Sequence, residues 1–151
     1  MVEQPQLVGA WQLESWSIGY EGRDDFSSPF GEDPLGLLVY TADGWMSASI
    51  NRRERARLPE DASPRKVPDA QRASAYSSYF HYAGRYRVVN GSVVHYVTQS
   101  LNPNFPGTEQ LRHAELDGQT LVLTGKDEVA GTVRYHTLVW HRAPATQPAA
   151  G

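Results

Sequence analysis

Residues that can donate or exchange protons meet in one predicted hairpin, 82–99, whose arms are joined by Asn90-Gly91. Asn-Gly between alternating apolar runs is typical of a type I′ turn, because both central residues of that turn adopt positive φ. With this turn, Tyr86 lies opposite His95, on the face that lacks the arginines of the hairpin. Tyrosine can donate to a carbonyl or enolate oxygen, and histidine can exchange a proton near neutral pH. The pair is therefore the first candidate for chemistry.

A second predicted hairpin, turning at Asp117-Gly118, brings a charged residue to the same side. We expect Leu116 to pair with Gln119, which places Arg112 in the middle of the more apolar face. An arginine side chain stays charged and requires an anion, a carbonyl group or a buried glutamate nearby. An inward arginine in an apolar wall is therefore a second candidate.

Three side chains, Tyr86, His95 and Arg112, are predicted to point into one cavity as catalytic residues that polarise a substrate carbonyl. The structural alternatives are a tyrosine and a histidine that satisfy each other, and an arginine paired with glutamate or stacked on Trp11. Further side chains are predicted to contact a ligand: Tyr40, Met46, Gln99, Asn102, Asn104 and Gln110. Packing remains the alternative for Tyr40 and Gln110, and turn formation for Asn102 and Asn104.

The elements that must position these residues are mostly strands separated by Gly, Pro and Asn. In the first predicted strand, 7–18, Trp11 faces one side, and Trp16 shares the other side with polar neighbours. A hairpin at 35–50 and a last strand at 132–142 bring the strand-like runs to at least seven. Successive tight hairpins favour an up-and-down barrel of about eight strands.

One short helix is predicted at 69–81, capped by Asp69. Its apolar stripe, formed by Ala73, Tyr76 and Phe80, is expected to pack on the core, with ligand contact as the alternative.

The remaining segments lack a regular pattern. Those predicted to be irregular are the frayed start 1–6, the loop 19–33, the turn segment 125–131 and the disordered tail 143–151. Residues 1–142 are then a single domain. A basic run at 52–57 is interpreted as a solvated face, with an anionic ligand or partner as the alternative.

Composition limits the class of function. The chain has 151 residues and a net charge of −3, which argues against nucleic-acid binding. It lacks cysteine, a signal pattern and an apolar run long enough to span a membrane, so we expect a cytoplasmic protein. No metal-ligand spacing, phosphate loop or dinucleotide motif is present, so no metal and no cofactor are expected. The sequence leaves open whether the chain forms a homodimer.

Several segments resemble one family. Gly9-Ala10-Trp11 resembles the Gly-x-Trp of lipocalins, with Arg142 or Arg134 as the residue that packs on the tryptophan. In order along the chain, YTADGWMSA (40–48), YAGRYRV (82–88), HYVTQSLNPNFPGTEQLR (95–112) and LVWHR (138–142) resemble the bacterial and fungal lipocalin-like domain proteins. The resemblance spans almost all of 7–142. It implies an all-β, antiparallel lipocalin-like (calycin) barrel with a central cavity, and some similar barrels act as cyclases in natural-product pathways.

Two functions fit these features. The first is a cofactor-free isomerase or cyclase acting on a hydrophobic, carbonyl-containing, polyketide-like substrate in biosynthesis. The alternative is a non-catalytic carrier or sensor that binds a small hydrophobic ligand in the barrel. In the carrier, His95 and Arg112 would be satisfied by protein partners alone.

Overall fold

The computed structural model describes residues 1–61 and 63–146, and antiparallel strands make up most of them. The strands are β1 (Gly9–Tyr20), β2 (Phe26–Ser27), β3 (Leu35–Tyr40), β4 (Trp45–Asn51), β5 (Tyr79–Val89), β6 (Ser92–Ser100), β7 (Glu109–Asp117), β8 (Thr120–Val129) and β9 (Thr132–Arg142). From β3 to β9 each strand pairs with the next, and β1 pairs with both β3 and β9. Eight strands therefore close into a barrel, which confirms the predicted all-β, up-and-down architecture. The short β2 pairs with β1 and lies in the segment predicted to be a loop.

The helices are short and lie outside the sheet. They are α1 (Gln4–Leu7), α2 (Asp69–Ser77) and a 3-10 turn (Pro64–Lys66). Among the described residues, no helix combines the length and apolar character needed to cross a membrane.

The central hairpin has the register that Asn90-Gly91 predicts. These two residues adopt φ of 51° and 79°, and Tyr86 lies opposite His95. Arg85 and Arg87 are on the outer face, where their guanidinium groups lie over the ring of Tyr96 at 5.9 and 5.3 Å. The two arginines are therefore on the outer face, and Tyr86 and His95 on the inner face, as predicted.

The next hairpin turns one residue later than expected. Gly118 and Gln119 form the turn, so Leu116 pairs with Leu121 and the predicted partner Gln119 is wrong. The error is two residues in register, which leaves every side chain on its predicted face because the strand period is two. Arg112 therefore still faces inward.

Two β-bulges change the alternation of side chains. One, between Leu13 and Ser15 on β1, turns Trp16 to the inner side, so its predicted outward position is wrong. The other, between Ala83 and Gly84 on the β5–β6 pair, leaves Tyr82 opposite Ser100 rather than Gln99. Gln99 is exposed as a result.

One end of the barrel is sealed by the N-terminal segment. Trp11 is fully buried, and the guanidinium of Arg142 lies 4.1 Å from its ring centroid. Arg142 also donates to the carbonyl oxygens of Val8 and Gln6 at 3.0 and 2.7 Å. Arg142, and not Arg134 or Arg112, is thus the arginine on the Gly-x-Trp tryptophan. Since Val2 is 5% exposed, the expected frayed start is wrong.

The predicted helix 69–81 ends early. α2 stops at Ser77, and Pro68, not Asp69, occupies its N-cap position. None of its residues is buried and Tyr76 is 48% exposed, so the expected core-packing stripe is wrong. The aromatic run from residue 79 onwards favours a strand, and it pairs with β4 instead. Phe80 consequently reaches the barrel interior from β5.

The basic run fastens loops to the barrel. Arg52 donates to the carbonyl oxygen of Pro29 at 3.0 Å, and Arg53 pairs with Asp33 at 2.7 Å. Arg55 donates to Ser78 Oγ at 2.9 Å, at the end of α2. Most of this run therefore has a structural role beyond that of a solvated face. At the other end of the chain, residue 143 continues the pairing with β1, and 147–151 of the predicted tail lie outside the described residues.

Gly84 of β5, which lies opposite the bulge on β6, offers a direct test of that bulge. A methyl group at this position would lie 1.8 Å from the Tyr96 carbonyl oxygen, which belongs to the paired backbone and cannot move aside. We expect Gly84→Ala to lower the free energy of unfolding by about 3 kcal/mol, measured by urea denaturation. Gly19→Ala, on β1 with open space around the added carbon, is the matched control and should change it little. Equal stability of the two variants would contradict the observed packing at the bulge.

Candidate functional site

The barrel interior contains a cavity of about 190 Å³ toward the end away from the Trp11 and Arg142 seal. Its walls are mainly apolar, and polar side chains interrupt them at two places. The lining residues are Trp16, Leu38, Ala48, Ile50, Phe80, Tyr82, His95, Phe105, Gln110, Arg112, Leu123, Asp127, Arg134, His136, Leu138 and Trp140. A few converging polar groups on an apolar wall are the usual composition of a small-molecule site.

His95, on β6, forms the first polar group together with two tyrosines. Its side chain is 2% exposed, with Nε2 2.7 Å from the Tyr40 hydroxyl and Nδ1 2.6 Å from the Tyr82 hydroxyl. Burial, assisted by the charge of Arg112, lowers the pKa of His95 to about 3. The imidazole is therefore neutral at physiological pH, and only one of its nitrogens carries a hydrogen.

The surroundings of Tyr40 determine which nitrogen that is. Tyr40 is 1% exposed, and His95 Nε2 is its hydroxyl's hydrogen-bond partner among the described residues. A buried hydroxyl hydrogen needs an acceptor, so Tyr40 donates to Nε2, and Nδ1–H then donates to Tyr82. We call the chain of hydrogen bonds from Tyr40 through His95 to Tyr82 the relay. Within it, the hydroxyl hydrogen of Tyr82 has no acceptor. Because Tyr82 lines the cavity, this hydrogen can be donated to a molecule bound there.

Both tyrosines remain protonated donors. Burial raises the pKa of Tyr40 well above its ordinary value, and burial likewise raises the pKa of Tyr82. The positive charge of Arg112 favours the phenolate form of both tyrosines and offsets part of the effect of burial, and hydrogen bonding to Arg112 lowers the pKa of Tyr82 further. Of the two, Tyr82 is therefore the better placed to stabilise negative charge on a bound oxygen.

Arg112 reaches the cavity from β7. Its Nη1 donates to the Leu111 carbonyl oxygen at 2.9 Å, and no carboxylate lies within 4 Å of it among the residues that the structure describes. The side chain lies across Gly125 of β8, where an added Cβ would come within 2.6 Å of Nη1. The expected pairing of Arg112 with a glutamate, given above as its structural alternative, is absent from this arrangement.

A second polar cluster lies where β8 and β9 pair, on the far side of the cavity. Asp127 accepts from Arg134 at 2.8 and 2.7 Å and from His136 Nε2 at 3.0 Å. The Trp16 indole N–H, which can only donate, points to His136 Nδ1 at 3.1 Å, so the hydrogen of His136 is on Nε2.

This cluster keeps Asp127 ionised. Hydrogen bonding to Arg134, followed by that to His136, lowers the pKa of Asp127 to about 2 against the effect of burial. Burial lowers the pKa of His136, although Asp127 opposes the shift. Among the described residues, no group of three or more His, Asp or Glu side chains is arranged to hold a metal ion.

The structure brings together only some of the residues that the sequence singled out. His95, Arg112 and Gln110 line the cavity, and Tyr40 contacts His95 from behind. Tyr86 does not line it, because its hydroxyl donates to the Thr41 carbonyl oxygen at 2.6 Å, toward the sealed end.

The other expected ligand contacts lie outside the cavity lining. Met46 is buried in the core, and Gln99 is exposed beyond the bulge. Asn102 Oδ1 accepts from the backbone N–H of Asn104 at 2.9 Å, a turn-forming interaction.

Sequence reasoning missed four of the polar cavity residues. Tyr82 lies on the same predicted face as His95, and this was the available signal. Asp127 and Arg134 pair across a turn at Ala130-Gly131, with φ of 51° and 82°. The whole of 125–131 was predicted to be a turn, whereas 125–129 continue β8; alanine rarely adopts positive φ, so Ala130 gives no signal for the shorter turn. His136, on the same strand as Arg134, was not oriented because both faces of that strand mix polar and apolar residues.

Stability should fall in mild acid because of His95. The unfolded chain binds a proton at this residue below pH 6.5, and the folded protein does so only near pH 3. Acid therefore favours unfolding, and this group alone removes about 2–3 kcal/mol between pH 7 and 4.5. We expect His95→Gln to reduce the difference in unfolding free energy between these pH values by about that amount in urea denaturation. His113→Gln, at an exposed histidine, is the control, and an unchanged pH dependence in His95→Gln would contradict a neutral buried imidazole.

Comparison with known proteins agrees with the barrel. Residues 8–143 match the family model described as the lipocalin-like domain. A search of curated proteins found no match. The matched segment contains all eight barrel strands and every residue of the cavity lining, and a barrel of this kind with an internal cavity fits small-molecule binding. The chain belongs to the lipocalin-like domain family.

Proposed function

We propose that this barrel binds a small, largely apolar molecule and holds its carbonyl oxygen between Tyr82 and Arg112. The observation that carries the proposal is that two available donors line the same cavity. Tyr82 has a free hydroxyl hydrogen, and Arg112 lacks a carboxylate partner among the described residues. Both groups can donate hydrogen bonds into a cavity with mainly apolar walls. An oxygen acceptor on the ligand satisfies both of them at once.

The volume of the cavity limits the size of that molecule. About 190 Å³ is modestly larger than an apolar cavity of roughly 150 Å³ that holds benzene. A single substituted ring, or an aliphatic chain of similar bulk, fits inside. A longer polyketide-like molecule would extend out past Phe105 and Arg134, at the end away from the seal.

Binding of acetophenone, a one-ring ketone, tests the proposal. We expect Tyr82→Phe to weaken binding by about 3- to 10-fold, as the loss of one hydrogen bond does, and Arg112→Gln to weaken it by at least as much. Isothermal titration calorimetry gives the affinities, with Arg87→Gln on the outer face of β5 as the matched control. Acetophenone affinity that is equal in all four proteins would rule out this placement of the carbonyl group.

Native mass spectrometry of the protein as purified is the complementary measurement. A retained molecule of about one ring, absent from a Leu123→Trp variant that fills the cavity, is the expected result. Retention of the same molecule by the filled variant would place binding elsewhere.

A cofactor-free isomerase or cyclase is the second candidate, and the same donor pair favours it. Donors aimed at a carbonyl oxygen stabilise the negative charge that develops there during enolisation or ring closure. The polyketide-like, biosynthetic substrate implied by the family resemblance belongs to this candidate. We assign His95 to orienting the Tyr82 hydroxyl rather than to moving protons, since both of its ring nitrogens are already bonded.

The geometry offers little for a general base. The nitrogens of His136 are also occupied, and Asp127, with a pKa lowered to about 2, is a weak base. Catalysis in this cavity would therefore rest on carbonyl polarisation and on folding the substrate to bring its ends together. For this reason binding is the first candidate and catalysis the second.

Exchange of the acetophenone methyl hydrogens in D₂O separates the two candidates. An isomerase or cyclase should accelerate the exchange, followed by NMR, and Tyr82→Phe should lower that rate by about 100-fold. Arg87→Gln should leave the rate unchanged. Binding without acceleration of exchange would leave the carrier as the function.

A further inference from the structure

We propose that the cavity selects an anion, a small carboxylate or the enolate of a small ketone, and that Arg112 is the residue that selects it. This inference rests on the proposed binding function and adds the charge of the ligand to it.

The charges of the cavity lining do not cancel. Arg134 and Asp127 form a bidentate ion pair, so each neutralises the other. His95 and His136 are held neutral by burial. Arg112 is the remaining charged group of the lining, so the cavity carries a positive charge although the net charge of the chain is −3. The interior therefore attracts an anion although the protein as a whole is acidic.

The hydrogen-bonding capacity of Arg112 points the same way. Its guanidinium carries five N–H groups, of which one donates to the Leu111 carbonyl oxygen and another interacts with the Tyr82 hydroxyl oxygen. A partly buried guanidinium without a countercharge is costly, and a carboxylate supplies both the charge and two acceptor atoms. A carboxylate oxygen can also accept from the free hydroxyl of Tyr82, so two oxygens match two sets of donors.

Gly125 provides an independent observation. Glycine weakens the interior of a strand, and no positive φ requires it in the middle of β8. A side chain at this position would meet Nη1, Cζ and Cδ of Arg112 at 2.6 to 3.0 Å. The glycine makes room for the guanidinium, so the fold accommodates the charge at a cost to its own strand.

Three ligands of one shape test the inference: benzoate, benzamide and acetophenone. Isothermal titration calorimetry at pH 7.5 should show that benzoate binds at least about tenfold more tightly than either neutral compound. In Arg112→Gln, benzoate affinity should fall to that of benzamide. Arg87→Gln, a matched charge removal outside the barrel, should keep the preference.

Gly125→Ala should displace the guanidinium without removing its charge. This variant provides a second test of the anion preference if Arg112→Gln does not fold. It should also reduce the preference for benzoate, whereas Gly19→Ala should not. Equal affinity for the three ligands in the native protein, or a benzoate preference that survives in both cavity variants, would overturn the anion selection and leave the binding function standing. If none of the three ligands binds, the proposed binding function fails with it.

Discussion

The buried imidazole of His95 is the constraint on which the rest of the cavity depends. At 2% exposure it cannot reach water, so both ring nitrogens must find partners within the protein. The partners are Tyr40 on β3 and Tyr82 on β5, and the three residues therefore connect strands from two different hairpins. A slip of one residue in any of these strands would turn its side chain out of the barrel. The same two hydrogen bonds therefore stabilise the buried imidazole and leave the Tyr82 hydroxyl hydrogen available to a molecule in the cavity.

Two bulges, one on β1 and one in the β5–β6 pair, interrupt the regular alternation of side chains around the barrel. Between the seal and the bulges, strict alternation places Trp11 and Leu13 on β1, and Val93, His95 and Val97 on β6, inside the barrel. Past the bulges the alternation shifts, so that Trp16 turns inward and Gln99 turns outward. The shift opens the cavity end to the bulky aromatic side chains that form its wall, including Phe80 and Phe105.

The bulges also explain which features the sequence could predict. The Asn90-Gly91 turn determines the pairing of Tyr86 with His95, because a two-residue turn leaves a single register. Trp16 and Gln99 were misplaced because a bulge arises from tertiary packing and has no short sequence signal here. Alternation predicts the face of a side chain but not its position along the barrel axis, so Tyr86 is inward as expected and yet reaches Thr41 rather than the cavity. The pair of Asp127 and Arg134 could not be predicted because alanine gives no indication of the turn that aligns the two strands.

The polar groups of the cavity differ in how much freedom they retain. Both histidines are fixed in one tautomer by neighbours, and Asp127 is held by Arg134 and His136. None of these groups can change its charge near neutral pH without breaking a bond that the fold requires. Tyr82 and Arg112 retain donors that the described residues do not use, and both donate rather than accept. In the proposed function, the apolar wall therefore determines the shape of the ligand, and these two residues determine its polarity. Shape and polarity depend on each other at Gly125, because the Arg112 side chain occupies the space that a side chain at this position of β8 would fill.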